Sequence, residues 1–135
     1  MGMANKVIQL KDGSDNLYPN EPMINKTSNN FFTQVSGVTI QTKSFLCTSR
    51  VAMLYLNLQK TDSTAWGWGR TNVGTLASGY RPLLGTGCSG CGSDAVNSYP
   101  NRNIYINVAA DGSIFVDNFN NDTKSFYIRI VYLLA

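Results

Sequence analysis

Hydrophobic and polar residues alternate along most of the chain with a repeat of two residues. In VAMLYLNLQ, residues 51–59, one side of an extended chain carries Ala52, Leu54, Leu56 and Leu58. Successive side chains of a β-strand point to opposite faces, so this alternation predicts a strand with one buried face. No segment has the 3.6-residue repeat of an amphipathic helix. We predict strands near residues 37–48, 50–60, 65–75, 102–109, 113–118 and 125–135, with a weaker one near 81–86.

An Asp-Gly pair joins two of these segments. Residues 104–108 alternate before Asp111 and Gly112, and residues 113–118 resume the alternation after them. Asp-Gly between two alternating runs is the strongest short-range signal for a β-hairpin. We therefore predict a hairpin at this point.

The last predicted strand, SFYIRIVYLLA, is apolar on both faces. Phe126 and Ile128 lie on one face, and Tyr127, Val131 and Leu133 lie on the other. A strand of this kind is either central to a sheet or presents one face to another subunit.

Short strands at this spacing predict an all-β fold, a β-sandwich of jelly-roll type over residues 31–135. Residues 1–30 are rich in asparagine, proline and turn residues, which predicts an extended lead-in. The predicted core consists of Ile40, Phe45, Leu54, Leu56, Leu58, Ile104, Ile106, Val108, Ile114, Val116, Ile128 and Ile130.

Charge and composition narrow the classes of function. Charged residues make up only 14% of the chain, and the net charge of +3 is spread without any basic run. A nucleic-acid-binding protein would show a basic patch or stripe, so we expect no nucleic-acid partner. There is no apolar run of membrane-spanning length and no signal-peptide h-region at the start, so we expect no membrane insertion.

The three cysteines do not form a recognisable metal or redox motif. Cys47 lies in the apolar stretch SFLCTS and is predicted to be buried. Cys88 and Cys91 form a C-x-x-C, but the chain has no histidine to complete a zinc site. We expect free thiols or a local disulfide there, a chain made in a reducing cytosol, and no metal or cofactor. The Asx-rich runs DGSDN and DNFNND match turns better than a calcium loop.

Catalytic residues are scarce. Without histidine, serine triads and histidine-assisted thiols are excluded. A glycosidase would need two carboxyl groups across a cleft, and Asp94 with Asp117 remains open as such a pair. The interpretation we favour is a protein that is not an enzyme.

Both tryptophans stand in TAWGWGR, separated by Gly67. In an ideal strand Trp66, Trp68 and Arg70 share one face, which could stack on a sugar while the guanidinium donates hydrogen bonds. Burial in the sandwich is the alternative, and we expect it for at least one of the two rings. The candidate receptor-binding residues are these three and Tyr99.

Two further segments carry predictions. Residues 85–103, GTGCSGCGSDAVNSYPNRN, are rich in glycine and serine and are predicted to form a mobile surface loop, either for recognition or as an ordinary connection. In LASGYRP, Gly79 and Pro82 predict a corner in which the Tyr80 ring caps the core and its hydroxyl group reaches water or the backbone.

Three stretches together resemble the C-terminal head domains of bacteriophage and prophage tail and fibre proteins. The opening VIQLKDGSDNLYPN is similar to the openings of phage structural proteins, and VGTLASGYRP resembles the G.LP.GYRP signature of fibre tips. The third stretch is an ending of a strand, a DGSI hairpin and a last aromatic-rich strand. Ala77 stands where that family often has proline, which loosens the turn without removing it.

This resemblance implies a jelly-roll head, commonly a homotrimer about a threefold axis, that binds a glycan or protein receptor on the bacterial surface. It implies that Tyr127, Val131 and Leu133, or their alternate face, lie near the trimer axis. The N-terminal segment would join other virion proteins, with assembly in the host bacterial cytoplasm. The alternative is a capsid fibre or decoration protein with a structural role and no specific receptor.

Overall fold

The computed structural model describes residues 9–11, 17–19, 21–84, 86–94 and 104–135, with only the backbone described for 9–11, 17–19 and 86–94. The described ranges contain eleven strands and no helix, which confirms the all-β prediction. The strands are β1 (Gln9–Lys11), β2 (Leu17–Pro19), β3 (Ile24–Asn25), β4 (Phe32–Gln34), β5 (Val38–Cys47), β6 (Val51–Lys60), β7 (Gly69–Leu76), β8 (Thr86–Asp94), β9 (Ile104–Val108), β10 (Ser113–Asn118) and β11 (Ser125–Leu133).

Nine of the strands form one continuous antiparallel hydrogen-bonded order, β3-β5-β6-β11-β8-β9-β10-β7-β4. The order corresponds to two layers of four strands, β3-β5-β6-β11 and β9-β10-β7-β4, a β-sandwich architecture. β8 joins the layers. Its first residues, 86–88, pair with β9, and its last residues, 91–94, pair with β11. The register of β8 against β9 shifts between Cys88 and Gly92, and Gly92 pairs with both Ile104 of β9 and Ile128 of β11.

The predicted hairpin is confirmed at β9 and β10. Val108 pairs with Ile114, and the N–H of Gly112 donates to the carbonyl oxygen of Ala109 at 2.9 Å. Gly112 has a φ of 91°, the left-handed conformation that closes a turn of this kind. A Cβ atom at Gly112 would meet the main chain of Leu76, so glycine is also required by the close approach of that strand.

The core lies between the layers. Every predicted core residue is buried, except that Ile40 is only partly buried and packs against the cluster. Cys47 is buried as predicted. The strand pattern did not predict several further members of the core, namely Phe31, Phe32, Val73, Leu76, Phe126 and Tyr132.

β11 lies between β6 and β8, so it is a central strand. Phe126, Ile128, Ile130 and Tyr132 point into the core. Its other face stays accessible at Val131 and Leu133, which the next subsection describes. Of the two alternatives for this apolar strand, the central position is confirmed, and contact of its second face with another subunit stays a prediction.

The corner at Tyr80 is confirmed. The Tyr80 ring packs edge-on against Phe45, with centroids 4.9 Å apart, and Gly79 has a φ of 92°. The Tyr80 hydroxyl group accepts a hydrogen bond from the side chain of Asn29 at 2.9 Å. Tyr132 donates its hydroxyl group to the carbonyl oxygen of Tyr80 at 2.5 Å, which ties the corner to β11.

Two sequence predictions about residues 81–103 are wrong. Residues 86–94 form β8 rather than a loop, because main-chain hydrogen bonds to β9 and β11 can hold glycine and serine in a strand without side-chain packing. No strand spans residues 81–84, where Pro82 makes only an isolated bridge to Leu134. The rest of the predicted loop, including Tyr99, lies outside the described residues.

The lead-in is described in part. β1 and β2 pair with each other in a separate two-stranded sheet, and β3 joins the edge of the large order beside β5. The Glu21 carboxylate accepts hydrogen bonds from the main chain and the hydroxyl group of Ser49, at 2.8 and 2.9 Å. Residues 21–30 therefore contact the sandwich, and the boundary between residues 30 and 31 stays a prediction.

Candidate functional site

Trp66 belongs to the core. Its side chain is 7% exposed and stacks on Phe126, with ring centroids 4.3 Å apart. The indole N–H donates to the carbonyl oxygen of Lys124 at 3.1 Å, so burial leaves no unpaired donor. The prediction that Trp66, Trp68 and Arg70 share one face is wrong for Trp66, and the expectation that at least one indole is buried is confirmed.

Gly67 is the reason that the two tryptophans separate. The strand β7 begins only at Gly69, and Gly67 has a φ of 78°, outside the extended region. The alternation rule that places residues two apart on one face holds only for extended backbone. The chain turns at Gly67, so Trp66 enters the core while Trp68 is left 68% exposed.

Trp68 is one of three exposed rings in a row, with Phe119 between the other two. The Phe119 ring lies edge-on to Trp68 at 5.9 Å and edge-on to Tyr105 at 5.8 Å between centroids. Tyr105 and Phe119 are each about half-exposed. Large contiguous apolar patches on protein surfaces often mark binding sites. We call these three residues, together with Arg70 and Asp117, the aromatic face.

A buried asparagine holds two of these rings in place. The side-chain N–H groups of Asn118 donate to the carbonyl oxygens of Gly67 and Asn120, at 2.6 and 2.8 Å. Its side-chain oxygen accepts from the hydroxyl group of Thr123 at 3.0 Å. These bonds join the segment that carries Trp68 to the turn that carries Phe119. The main-chain positions that carry the two rings are therefore tied to each other.

An ion pair crosses the same face. Asp117 on β10 lies opposite Arg70 on β7 and opposite Tyr105 on β9. Arg70 donates from Nε and Nη2 to the two carboxylate oxygens at 2.7 and 2.9 Å, a bidentate pair. The Arg70 guanidinium group also lies over the Phe115 ring, 5.8 Å from its centroid.

The ion pair stabilises the charged form of both partners. The hydrogen bonds from Arg70, followed by its positive charge, hold the pKa of Asp117 below its usual range. The same bonds raise the pKa of Arg70. A carboxyl group with a lowered pKa is a poor general acid at neutral pH, which weighs against the acid role of a glycosidase for Asp117; the second carboxyl group of such an enzyme acts in its ionised form, and a lowered pKa does not weigh against that role.

The opposite layer carries a second apolar surface. Val131 and Leu133 on β11 are each 59% exposed, and Val131 pairs with Met53 of β6, which is also exposed. A groove of about 460 Å³ runs beside them and includes Leu46 of β5. We call Leu46, Met53, Val131 and Leu133 the aliphatic face. Tyr127 lies on the same outer side but is half-buried.

A hollow of about 420 Å³ lies at one end of the sandwich, between the β4–β5 turn and the segment after β6. Its wall includes Gly37, Lys60, Asp62 and the edge of Trp66. One polar group of the hollow already has partners within the chain. The Asp62 carboxylate accepts hydrogen bonds from the hydroxyl group and the main chain of Thr64, and these bonds lower the pKa of Asp62. The aromatic face has more exposed ring surface, and we take it as the candidate functional site.

The structure brings together only part of the predicted site. Trp68 and Arg70 lie on the aromatic face, Trp66 is buried, and Tyr99 lies outside the described residues. The residues that sequence reasoning missed at this site are Tyr105, Phe119 and, as the partner of Arg70, Asp117. The sequence did contain a signal for Tyr105. The register of the predicted β9–β10 hairpin places Tyr105 opposite Asp117, with both residues on the outward face.

Within the described ranges no cluster of acidic residues or cysteines could hold a metal ion, and no helix is long and apolar enough to cross a membrane. No protein-family model, curated protein or solved structure shows significant similarity to this chain. The site therefore has to be interpreted from its own geometry.

Proposed function

We propose that this chain is the receptor-binding head of a bacteriophage or prophage tail or fibre protein, and that its aromatic face binds a glycan of the bacterial surface. The observation that carries the proposal is the exposed group of three rings beside the Arg70–Asp117 pair. Pyranose rings have apolar C–H faces that stack on aromatic rings, and their hydroxyl groups need donors and acceptors nearby. In this proposal the chain is not an enzyme and needs no cofactor.

Preorganisation supports a binding role. Asn118 ties together the main-chain segments that carry Trp68 and Phe119, and the Tyr105 ring contacts Phe119 directly. Aromatic side chains have few rotatable bonds, so little conformational entropy is lost when a ligand orders them. The sandwich presents these rings on one outer layer, where the flat face of a ligand can stack on them.

The pairing of the strands supports a jelly-roll wrapping. β6 pairs with β11, β7 with β10 and β8 with β9, so these pairs are nested about the connection between β8 and β9. A jelly roll arises when a long antiparallel pair of this nested kind is wrapped into two layers. The β6–β11 and β7–β10 pairs lie in different layers, which supports such a wrapping.

We also propose a homotrimer, with the aliphatic face and Tyr127 toward the threefold axis and the N-terminal segment joined to other virion proteins. Exposed Val, Leu and Met side chains on a central strand gain free energy when a second copy covers them. Assembly in the host bacterial cytoplasm and display on the virion belong to the same proposal. The aromatic face lies on the other layer and would remain free in such a trimer.

Adsorption tests the proposed function. Labelled protein is incubated with a panel of bacterial strains and with wall polysaccharides and lipopolysaccharides purified from them. We expect saturable binding to a subset, reduced at least about tenfold by Trp68→Ala, because an aromatic anchor supplies much of the energy of a small interface. Leu84→Ala is a matched control, since Leu84 is at least as exposed as Trp68 but lies outside the aromatic face.

The same test separates the capsid-fibre or decoration alternative. If the protein binds no cell or polysaccharide while it remains folded, a structural role on the particle is favoured. Release of new reducing ends from a polysaccharide during the incubation would contradict the non-enzymatic part of the proposal.

A further inference from the structure

We propose that the aromatic face binds uncharged saccharides and rejects acidic ones, and that the Arg70–Asp117 ion pair causes this selectivity. This inference rests on the proposed function, since it assumes that a glycan is the ligand of the face.

The pair leaves the face without net charge. Arg70 and Asp117 are the only charged residues of β7, β9 and β10, although the chain as a whole has a net charge of +3. Their bidentate contact, at 2.7 and 2.9 Å, brings the two opposite charges together beside the exposed rings. An approaching ligand meets a dipole and aromatic surface rather than a cationic site.

The pair still offers hydrogen bonds. A guanidinium group has five N–H donors and a carboxylate has about four lone-pair positions, and two of each are used between Arg70 and Asp117. The remaining donors and acceptors stand side by side in a fixed geometry. A sugar hydroxyl group both donates and accepts, so adjacent hydroxyl groups match this arrangement while a carboxylate or phosphate, which only accepts, does not.

An acidic saccharide would bring a second negative charge next to Asp117. Asp117 already occupies Nε and Nη2 of Arg70, so the anionic group meets only the remaining Nη1–Nη2 edge of a guanidinium group whose charge is already balanced, and it is repelled by the nearby carboxylate. The stacking of Arg70 over Phe115 holds the guanidinium group against the sheet and resists its turning away from Asp117. Hydroxyl groups carry no charge and are not repelled in this way.

A glycan array tests the inference. The probes are neutral oligosaccharides of hexoses and N-acetylhexosamines, together with oligosaccharides that carry uronic acid, sialic acid or phosphate. We expect the wild-type protein to bind neutral probes only. Asp117→Asn keeps the size of the side chain but removes its charge, so binding to the neutral probes should fall about tenfold while binding to acidic probes appears.

Two further variants control for charge and for the guanidinium group. Asp111→Asn makes the same change of charge in the β9–β10 turn, where the carboxylate serves the main chain of Ser113, and it should leave the array pattern unchanged. Arg70→Gln leaves Asp117 unpaired, so it should weaken neutral binding without any gain of acidic binding. Circular dichroism of each variant establishes that the fold is intact.

The outcomes separate the two proposals. If the wild-type protein binds acidic probes and Trp68→Ala abolishes that binding, the proposed selectivity is wrong but the proposed glycan-binding site stands. The selectivity is also wrong if Asp117→Asn keeps the wild-type preference. Binding that is insensitive to Trp68→Ala, or binding to no probe at all, would overturn the proposed function and this inference together.

Discussion

The two outer faces of the sandwich are both apolar, but they are built from different chemistry. The aromatic face on the β9-β10-β7-β4 layer combines rings that are held by Asn118 with one ion pair. The aliphatic face on the other layer consists of Leu, Met and Val side chains beside a groove that Tyr55 and Arg129 also line. The aromatic face has directional hydrogen-bonding groups and fixed rings, whereas the aliphatic face gains free energy only from being covered.

This difference suggests a division of tasks. Directional groups discriminate between ligands, because a ligand that cannot match them leaves buried polar groups unpaired. Aliphatic surface contributes through burial without strong orientation, and methionine adapts to irregular partners. The aromatic face is thus suited to a small polar ligand, and the aliphatic face is suited to another copy of the chain.

The largest effect should come from charging the aliphatic face. The double variant Val131→Asp with Leu133→Asp places two carboxylates where the proposed trimer would bury them, and burial of unpaired charge is costly. We expect light scattering to show a threefold fall in molar mass relative to wild type. Trp68→Ala should keep the wild-type mass, and a wild-type protein that is already monomeric at micromolar concentration would contradict the trimer.

The next largest effect compares the two tryptophans. Trp66→Ala removes a buried ring that stacks on Phe126, so the free energy of unfolding should fall by about 3–5 kcal/mol. Trp68→Ala removes an exposed ring and should change that free energy by only about 0.5 kcal/mol. Chemical denaturation of both variants measures the difference. Equal destabilisation would mean that Trp68 is also a core residue and that the aromatic face is misassigned.

Asn118→Ala should have an intermediate effect on stability. It leaves the carbonyl oxygens of Gly67 and Asn120 without their side-chain donor, and an unsatisfied buried polar group costs about 1–3 kcal/mol. We expect that loss of unfolding free energy together with weaker glycan binding, since Trp68 and Phe119 lose their tether. Asn120→Ala is the control, because its contacts in this network come from its main chain. Glycan binding at wild-type strength in folded Asn118→Ala would show that the tether is not needed.

The smallest effect concerns pH. Arg70 on β7 and Tyr105 on β9 face Asp117, and the bonds from Arg70 lower the pKa of Asp117. A lowered pKa means that the contribution of the pair is complete above the unfolded-state value of about 3.9 and is lost as the pH falls through the folded-state value. Glycan binding should therefore be constant from about pH 8 to about pH 5 and decline only in stronger acid. A steep decline between those two values would point to a different titrating group at the site.

Much of the fold could be predicted from the sequence because its causes are local. A two-residue alternation sets which side chains face inward, so the core residues of β6, β9, β10 and β11 follow from the pattern alone. The hairpin at Asp111 and Gly112 follows from turn chemistry, and the corner at Tyr80 follows from glycine and proline. β8 was missed because its glycine-rich sequence has no alternation, and its strand depends on main-chain pairing with two other strands.

The candidate site depended on the tertiary structure. The sequence by itself determined that a glycine separates two tryptophans and that an arginine follows at the next alternate position. The inward direction of Trp66 was decided only by the folded chain. Asn118 donates to the carbonyl oxygen of Gly67, and Trp66 donates to the carbonyl oxygens of Thr123 and Lys124, and all three contacts are distant in sequence. Only the pairing of β7 with β10 brought Asp117 to Arg70, 47 positions away, and Phe119 to Trp68. Local patterns specify faces and turns, and the partners that meet across a sheet are set by the packing of the whole chain.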